Sequence, residues 1–198
     1  MVATKSEVRA IVRAARARRL PSARDEARHA LTGVLTQLCS STDAHSVAAF
    51  LPSAIEPPID GFLAEALSFG LKILVPISQA DGSLKWMRLT PETAVVASEL
   101  GVPEPVVAEP SSLLGPETLT EVELILLPAA AVDARGMRLG WGKGFYDRAL
   151  AGLPASDSVA RPQTYAVVFD DEILEELPHE GHDKAVDGVV TPSGIRRF

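Results

Sequence analysis

The sequence predicts an α/β fold of three layers, in which helices cover both faces of a mainly parallel sheet. Two observations favour it. Short apolar runs such as 71–77 and 122–127 show little alternation, which is typical of strands buried on both faces. Segments with apolar residues spaced by three and four lie between such runs, as expected of helices. The chain has 198 residues and neither an internal repeat nor a composition break, so we expect one domain over 1–198.

The elements follow from these patterns in chain order. Helices are predicted over 5–19, from Pro21 through Leu38, and over 59–69, 143–150 and 171–177. Strands are predicted over 46–51, 71–77, 84–89, 122–127, 164–169 and 188–190. The third of these strands alternates, so we expect a more exposed strand in a hairpin there, with Trp86 packed in the core or on the surface. Five prolines between 90 and 120 predict a long irregular connection.

Composition and charge exclude several classes of protein. The net charge of −7, from 19 basic and 26 acidic residues, argues against nucleic acid as a partner. No apolar run approaches the roughly 18 residues of a membrane helix. The lone cysteine, Cys39, excludes an internal disulfide and favours a reducing compartment, so we expect a cytoplasmic protein, by default a monomer. The arginine-rich N-terminus resembles a transit peptide in composition, but we favour a structural helix there.

A glycine-rich segment over 136–148 carries the strongest chemical signal. Its glycines allow the backbone to approach a ligand, and a glycine loop that enters a helix presents N–H groups to an anion. Arg138, Lys143 and Arg148 add positive charge, and Asp147 offers an oxygen ligand for magnesium. The spacing matches neither a P-loop nor a dinucleotide-binding turn. The segment indicates a nucleotide-phosphate site, and the alternative is a tight turn with solvated charges.

The same segment, Gly136-Met137-Arg138-Leu139-Gly140-Trp141-Gly142-Lys143-Gly144-Phe145-Tyr146-Asp147-Arg148, resembles the signature of the 5-formyltetrahydrofolate cyclo-ligase family. Shorter pieces match in order: 5–9, Phe50-Leu51 with Glu56, 101–105 with Glu104, Leu177-Pro178, His182-Asp183 and 187–191. The resemblance therefore spans nearly the whole chain. Three positions depart from the family pattern, because Val8, Phe145 and Glu172 stand where leucine, tyrosine and glutamine are expected.

The resemblance implies a fold similar to the sugar-isomerase and CoA-transferase group and an ATP- and Mg²⁺-dependent enzyme. Such an enzyme closes 5-formyltetrahydrofolate to 5,10-methenyltetrahydrofolate and releases ADP and phosphate. By motif match, ATP would be held by Lys5, Arg9, Arg138, Leu139, Gly140, Trp141, Gly142, Lys143, Gly144, Phe145 and Tyr146. The folate would contact Phe50, Leu51, Glu56 and the turn from Trp141 to Phe145, and magnesium would be held by Asp147 and Asp187. Lys143, Arg138 and Arg148 would be the catalytic cations.

The residue types suit this chemistry. A formamide oxygen is a poor leaving group, so N10 can close the ring only after that oxygen is phosphorylated. Phosphoryl transfer requires alignment and charge neutralisation rather than a nucleophilic side chain. Taken alone, Glu56 is more often a solvated loop acid, and Phe50 and Leu51 are as often core as pocket wall. Without the resemblance, Lys5 and Arg9 would be interpreted as part of a solvated basic face of the first helix.

Other functions remain open from the sequence. A non-catalytic folate- or nucleotide-binding protein on the same fold is the main alternative. An isomerase or CoA-transferase-like enzyme on a related sheet is a further one, although no glutamate-centred motif of that kind is visible.

Overall fold

The computed structural model describes residues 3–98, 102–154, 161–179 and 184–198. The helices are α1 (Lys5–Ala17), α2 (Pro21–Thr42), α3 (Asp60–Ser68) and α4 (Phe145–Ala151). The strands are β1 (Ser46–Ala48), β2 (Lys72–Ser78), β3 (Leu84–Leu89), β4 (Val95–Ala97), β5 (Pro103–Pro105), β6 (Leu124–Pro128), β7 (Ala131–Asp133), β8 (Arg138–Leu139), β9 (Gln163–Val167), β10 (Ile173–Leu174), β11 (Gly188–Thr191) and β12 (Gly194–Arg197). Short 3₁₀ helices cover Pro110–Ser112, Pro116–Glu121 and Asp170–Glu172.

A central sheet organises the molecule. Its strands lie in the order β12-β11-β9-β6-β1-β2-β3. The five inner strands are parallel, and β12 and β3 pair antiparallel at the two edges. Helices α2 and α3 pack on one face, and α4 and the buried Trp86 lie on the other. The predicted three-layer fold with a mainly parallel sheet is confirmed. Within the described ranges, no helix combines the length and apolar character needed to span a bilayer.

The first two helices form where the sequence predicts them. Thr4 caps α1: its side-chain oxygen accepts from the N–H of Glu7 at 3.2 Å, and the Glu7 carboxylate accepts from the Thr4 N–H at 2.7 Å. In α2 the spacing of four and three places Leu31, Leu35 and Leu38 on one fully buried stripe against the sheet.

The glycine-rich region and the C-terminal part contain strands that the sequence patterns did not indicate. Strands β7 and β8 form a small antiparallel pair within the predicted glycine-rich turn, and β10 joins it by pairing parallel with β7. The helix predicted over 171–177 is therefore wrong. A short 3₁₀ helix and β10 occupy its place. The seven residues from 171 to 177 are all acidic or apolar, and so short a run does not distinguish the period of a helix from that of a strand. Strand β12, which pairs with β11 at one edge of the central sheet, was not predicted either.

The hairpin strand β3 and the proline-rich connection also differ from expectation. Strand β3 is less exposed than expected, and Trp86 is completely buried in the core, because the chain around Leu114 lies beside β3. The N–H of Trp86 donates to the carbonyl of Leu114 at 2.9 Å, and Leu114 donates in return at 2.8 Å. Within that segment β4 and β5 pair antiparallel, with two prolines tolerated on a two-stranded unit that has open edges.

Candidate active site

A cavity of about 510 Å³ opens at the carboxyl ends of β1 and β6. This is the position at which parallel α/β sheets bind ligands. Most of the residues that the sequence nominated line it: Phe50, Leu51, Glu56, Arg138, Gly140, Trp141, Gly142, Lys143, Gly144, Phe145, Tyr146 and Asp147. One wall is the segment after β1 and the opposite wall is the glycine-rich loop. A volume of this size accommodates a ligand of drug-like dimensions.

The glycine-rich loop has a backbone that other residues do not readily adopt. Gly142 has φ of 93° and Gly144 has φ of 69°, both in the region that favours glycine. A side chain at 142 would place its first carbon 3.3 Å from the guanidinium of Arg9. Helix α4 begins at Phe145 and has only seven residues. An anion at the glycine-rich loop would therefore be bound mainly by backbone N–H groups of the loop and not by the dipole of this helix.

Helix α1 packs behind this loop. The Nε atom of Arg9 donates to the carbonyl of Gly140 at 2.7 Å, which brings the helix and the loop together as the motif match implied. Arg9 and Lys5 lie outside the lining of the cavity. Leu139 has a different role from the one expected, because its side chain is buried against Val8 and Val12 of α1. The Leu139 side chain therefore supports the helix and does not face a ligand.

Arg138 and Asp147 form an ion pair at the cavity wall. The Arg138 side chain is 6% exposed, and its Nη2 donates to one oxygen of Asp147. Its Nε is buried and has no hydrogen-bond partner among the residues that the structure describes. Lys143 lies on the exposed part of the loop and lines the same cavity. Two cations and one carboxylate thus surround the space beside the loop, a suitable environment for phosphate groups.

Arg148 does not reach this space. Its guanidinium donates to the carbonyl of Gly82 through Nε at 2.9 Å and Nη2 at 2.6 Å, and Nη2 also donates to the carbonyl of Lys143 at 2.8 Å. The side chain therefore ties the β2–β3 turn to the glycine-rich loop. The expectation that Arg148 is a catalytic cation does not agree with this position, because the structure makes it a brace of the loop.

Asp187 is also separate from the cavity. It precedes β11 at the amino ends of the parallel strands, whereas the cavity lies at their carboxyl ends. One carboxylate oxygen accepts from Arg161, and the other accepts from the N–H and hydroxyl of Thr164 at 2.7 and 2.8 Å. The structure therefore does not place Asp187 beside Asp147 as a second magnesium ligand. Asp187 was predicted to bind magnesium because it matches the family motif and not because of the residues around it.

Glu56 is ordered in the opposite wall. Its side chain accepts from the N–H of Ser53 at 2.8 Å, and its carbonyl accepts from Nη2 of Arg24 at 3.1 Å. The residue is only 9% exposed, so it is not the solvated loop acid that its sequence context would favour. Phe50 and Leu51 are buried beside it and line the cavity. They belong to both the core and the pocket wall.

Tyr146 lines this cavity, and its buried hydroxyl has no hydrogen-bond partner within the described ranges. Burial raises the pKa of this hydroxyl, the negative charge of Glu56 raises that pKa further, and Arg138 opposes both effects. The ring packs edge-on against Trp86 at 6.4 Å between centroids. The tyrosine therefore remains protonated and can donate a hydrogen bond into the space between Glu56 and Arg138.

Two charged residues of the cavity wall were not among the predicted site residues. Glu104 of β5 lines the cavity, and one of its oxygens accepts from the N–H of Ser78 at 3.0 Å. Arg13 of α1 also lines it and lies 5.4 Å from the centre of the Trp141 ring. The sequence could have indicated Glu104 as a site residue, because it is a carboxylate between two prolines. Nothing in the sequence distinguishes Arg13 from the basic residues around it. His182 and Asp183 of the C-terminal motif and Gly101 lie outside the described residues.

Comparison with known proteins decides the family. A model of the 5-formyltetrahydrofolate cyclo-ligase family matches residues 1–192. The chain belongs to this family. The 5-formyltetrahydrofolate cyclo-ligase of Mycolicibacterium smegmatis is 40% identical over 181 residues, which cover 88% of this chain and 87% of that protein. That of Escherichia coli K12 is 30% identical, over 77% of this chain and 80% of that protein.

Solved structures of 5-formyltetrahydrofolate cyclo-ligase relatives share the fold. The NMR structure of Aquifex aeolicus 5,10-methenyltetrahydrofolate synthetase superposes with a TM-score of 0.79 at 26% identity, covering 98% of this chain and 92% of that one. The synthetase from Mycoplasma pneumoniae gives a TM-score of 0.70 at 16% identity and supports the fold alone, covering 93% of this chain and 96% of that one. The predicted family and the prediction of an enzyme of the ligase class are both confirmed.

Proposed function

We propose that this chain closes 5-formyltetrahydrofolate to 5,10-methenyltetrahydrofolate, using ATP and releasing ADP and phosphate. Family membership gives the reaction class. The observation that supports the proposal most directly is that a single cavity has the glycine-rich loop on one wall and Phe50, Leu51 and Glu56 on the other. A phosphate donor and a pterin could therefore meet in one space. Alignment of the two reactants is the main requirement of phosphoryl transfer.

The nucleotide phosphates would bind at the loop. Gly142 and Gly144 line the cavity, so their backbone N–H groups could bind an anion, and Lys143 and Arg138, which line it too, would neutralise negative charge. Helix α1 contributes through Arg9, which fixes the position of the loop by its bond to Gly140. These groups stabilise the charge that the γ-phosphoryl group carries during transfer.

Magnesium fits this site only as an ion held mainly by the nucleotide. Asp147 is the one predicted carboxylate ligand that lines the cavity, and Arg138 engages one of its two oxygens. Within the described part of the chain, no cluster of three or more metal-ligating side chains occurs. Mg²⁺ is commonly held by one or two carboxylates together with substrate phosphates, so Asp147 would supply one ligand. When bound, the ion would neutralise charge on the phosphate oxygens.

The folate would lie against the other wall. The Glu56 carboxylate suits the N–H donors of a pterin ring, and Phe50 and Leu51 supply an apolar surface beside it. The neutral hydroxyl of Tyr146 can donate to an oxygen of the substrate. These groups orient the ring so that the formyl oxygen faces the phosphates.

The chemistry then needs no protein nucleophile. The formyl oxygen attacks the γ-phosphorus and ADP leaves. N10 attacks the activated formyl carbon, loses its proton, and the C–O bond breaks to release inorganic phosphate. The net change joins N10 to the formyl carbon and transfers its oxygen to phosphate.

The decisive experiment is a product assay with the purified chain. We expect the near-ultraviolet absorbance of the methenyl product to appear only when 5-formyltetrahydrofolate, ATP and Mg²⁺ are all present. Binding of both ligands without product would favour the non-catalytic folate- or nucleotide-binding alternative. We also propose that the protein is a cytoplasmic monomer. Light scattering after gel filtration tests the oligomeric state, because a single chain has a mass of 21.0 kDa.

A further inference from the structure

A buried ion pair fastens α1 to the edge of the sheet that carries the cavity. The side chains of Arg16 and Glu172 are 0% and 3% exposed. Nε and Nη2 of Arg16 each donate to one oxygen of Glu172 at 2.7 Å, and Nη2 also donates to the carbonyl of Ala129 at 2.7 Å. The N–H of Phe169 donates to Glu172 at 2.8 Å. The pair therefore has a single geometry, fixed by four hydrogen bonds.

The anchors of this pair lie at the carboxyl edge of the sheet. Ala129 directly follows β6, and Phe169 lies two residues beyond β9. The guanidinium of Arg16 lies 5.1 Å from the centre of the Trp141 ring, and Trp141 forms part of the cavity wall. A movement of Arg16 would therefore be transmitted to the wall of the site.

The same helix carries the residues that meet the loop. Arg9 lies seven residues before Arg16, about 10 Å along the helix axis. Its bond to Gly140 and the Arg16–Glu172 pair hold α1 at two points, one at the glycine-rich loop and one at the sheet. The orientation of α1, and with it the place of Lys5, depends on both attachments.

Stability does not explain the choice of a buried ion pair. Replacing such a pair by apolar residues of similar volume is often neutral or stabilising, since two charges must lose their hydration. This pair also leaves Nη1 of Arg16 buried without a hydrogen-bond partner among the described residues, and Nε1 of Trp141 is in the same condition. An apolar contact would avoid the unpaired Arg16 donor but would not fix the orientation of a helix as a bidentate pair does.

We propose that Arg16 and Glu172 are positioning residues of the ligase site, which hold α1 and the Trp141 ring in the arrangement that binds the nucleotide. This inference rests on the proposed function. It also gives a role to Glu172, the position at which the family resemblance led us to expect glutamine. A glutamine there would retain one oxygen acceptor for Arg16 but not the second, so this replacement should preserve only part of the positioning.

The test is the double variant R16M/E172M, which removes both charges and fills the space with unbranched side chains. We expect its unfolding midpoint to stay near that of the wild type, and its KM for ATP to rise about tenfold to a hundredfold, while kcat changes much less. E172Q keeps one oxygen acceptor, but its amide nitrogen faces a donor in this buried pair, so its KM for ATP should rise less than that of the double variant and more than that of the control. Should the double variant not fold, R16K carries the same test, because lysine keeps the charge but not the bidentate geometry.

A second readout needs no turnover. The chain has two tryptophans, and Trp86 is completely buried, so quenching of tryptophan fluorescence by acrylamide reports mainly on Trp141. We expect stronger quenching in R16M/E172M than in the wild type. If the wild type shows no ligase activity but the quenching changes, the proposed function fails while the positioning of the ring stands.

The matched control is the neighbouring pair Arg19–Asp171, which joins the same two segments at the surface. R19M/D171M should leave the KM for ATP and the quenching unchanged. A folded R16M/E172M, or R16K in its place, with wild-type KM and wild-type quenching would overturn the proposal. An equal rise in KM for the control pair would also overturn it, because any contact between these segments would then suffice.

Discussion

Arg138 and Arg148 are ten positions apart in one motif, but their guanidinium groups have different neighbours. Arg138 faces the cavity and pairs with Asp147, whereas Arg148 donates to the carbonyls of Gly82 and Lys143. Sequence alone cannot separate the two, because both are arginines of the same glycine-rich motif. The distinction depends on the β2–β3 turn, which is distant in the chain but lies next to α4.

Lys143 is the cation whose loss should affect the reaction most directly. We expect Lys143→Ala to lower kcat/KM by about a hundredfold, because a charge beside the transferred phosphoryl group is removed. The unfolding midpoint should not move, since the side chain is exposed. Steady-state rates of product formation measure the effect. Lys72→Ala, at the exposed amino end of β2, is the control and should keep full activity; an equal loss there would contradict the assignment.

The two candidate magnesium ligands should respond differently to substitution. We expect Asp187→Asn to lower the free energy of unfolding by about 1–3 kcal/mol, because the bonds to Thr164 and Arg161 weaken, and to leave the Mg²⁺ dependence of the rate unchanged. Asp147→Asn should raise the Mg²⁺ concentration that gives half the maximal rate. Titrations of the rate with Mg²⁺ decide the matter, and a raised requirement in Asp187→Asn would restore that residue to the site.

At the scale of elements, the sequence predicted the helices and strands whose apolar residues follow one clear pattern. It missed the strands that form only by pairing with other segments of the chain. Helix α2 and strand β6 were predicted because their apolar patterns are long or uninterrupted. Strands β8 and β10 have two residues each, which is too short for any periodicity, and they exist because β7 lies between them. The burial of Trp86 depends on a chain segment near Leu114, so its own alternating strand could not indicate it.

The candidate site was predictable to a similar extent. The glycine-rich loop was found because its residues carry the chemistry, whereas Glu56 was assigned only by the family resemblance; the structure brings both to one cavity. Asp187 was assigned by motif and lies at the opposite edge of the sheet. Arg13 and Glu104 were missed because one is hidden among similar arginines and the other belongs to a pair of strands that was not expected.

The loop conformation gives a test at this scale. We expect Gly142→Ala to cost about 1–2 kcal/mol of unfolding free energy, because φ of 93° is unfavourable for a residue with a side chain. It should also weaken nucleotide binding, since the new carbon approaches Arg9. Chemical denaturation and calorimetric titration with ADP measure both. Gly33→Ala, in the middle of α2 with open space around it, should instead be neutral or stabilising. Unchanged ADP binding in Gly142→Ala would contradict the role of the loop.

At the scale of the whole molecule, the single cysteine affects stability through its ionisation. Burial raises the pKa of the Cys39 thiol to about 11, while the thiol in the unfolded chain titrates near its ordinary value of about 8.5. The raised folded pKa contributes stability that is complete below pH about 8.5 and is lost as the pH rises toward 11.

We therefore expect the wild-type chain to lose more unfolding free energy between pH 8 and 10 than Cys39→Ala does, because only the wild type has a thiol to ionise on unfolding. Urea denaturation at the two pH values measures the difference. Equal losses in the two proteins would show that Cys39 is not perturbed in the folded state.

The proposed reaction requires the transfer of the γ-phosphoryl group from the nucleotide to the formyl oxygen of the folate within one cavity. The most direct measurement follows that oxygen. With 5-formyltetrahydrofolate labelled with ¹⁸O in the formyl group, mass spectrometry of the products should find the label in inorganic phosphate, in proportion to methenyl product. Label released as water, with unlabelled phosphate, would show that the formyl oxygen is never phosphorylated and would contradict the mechanism.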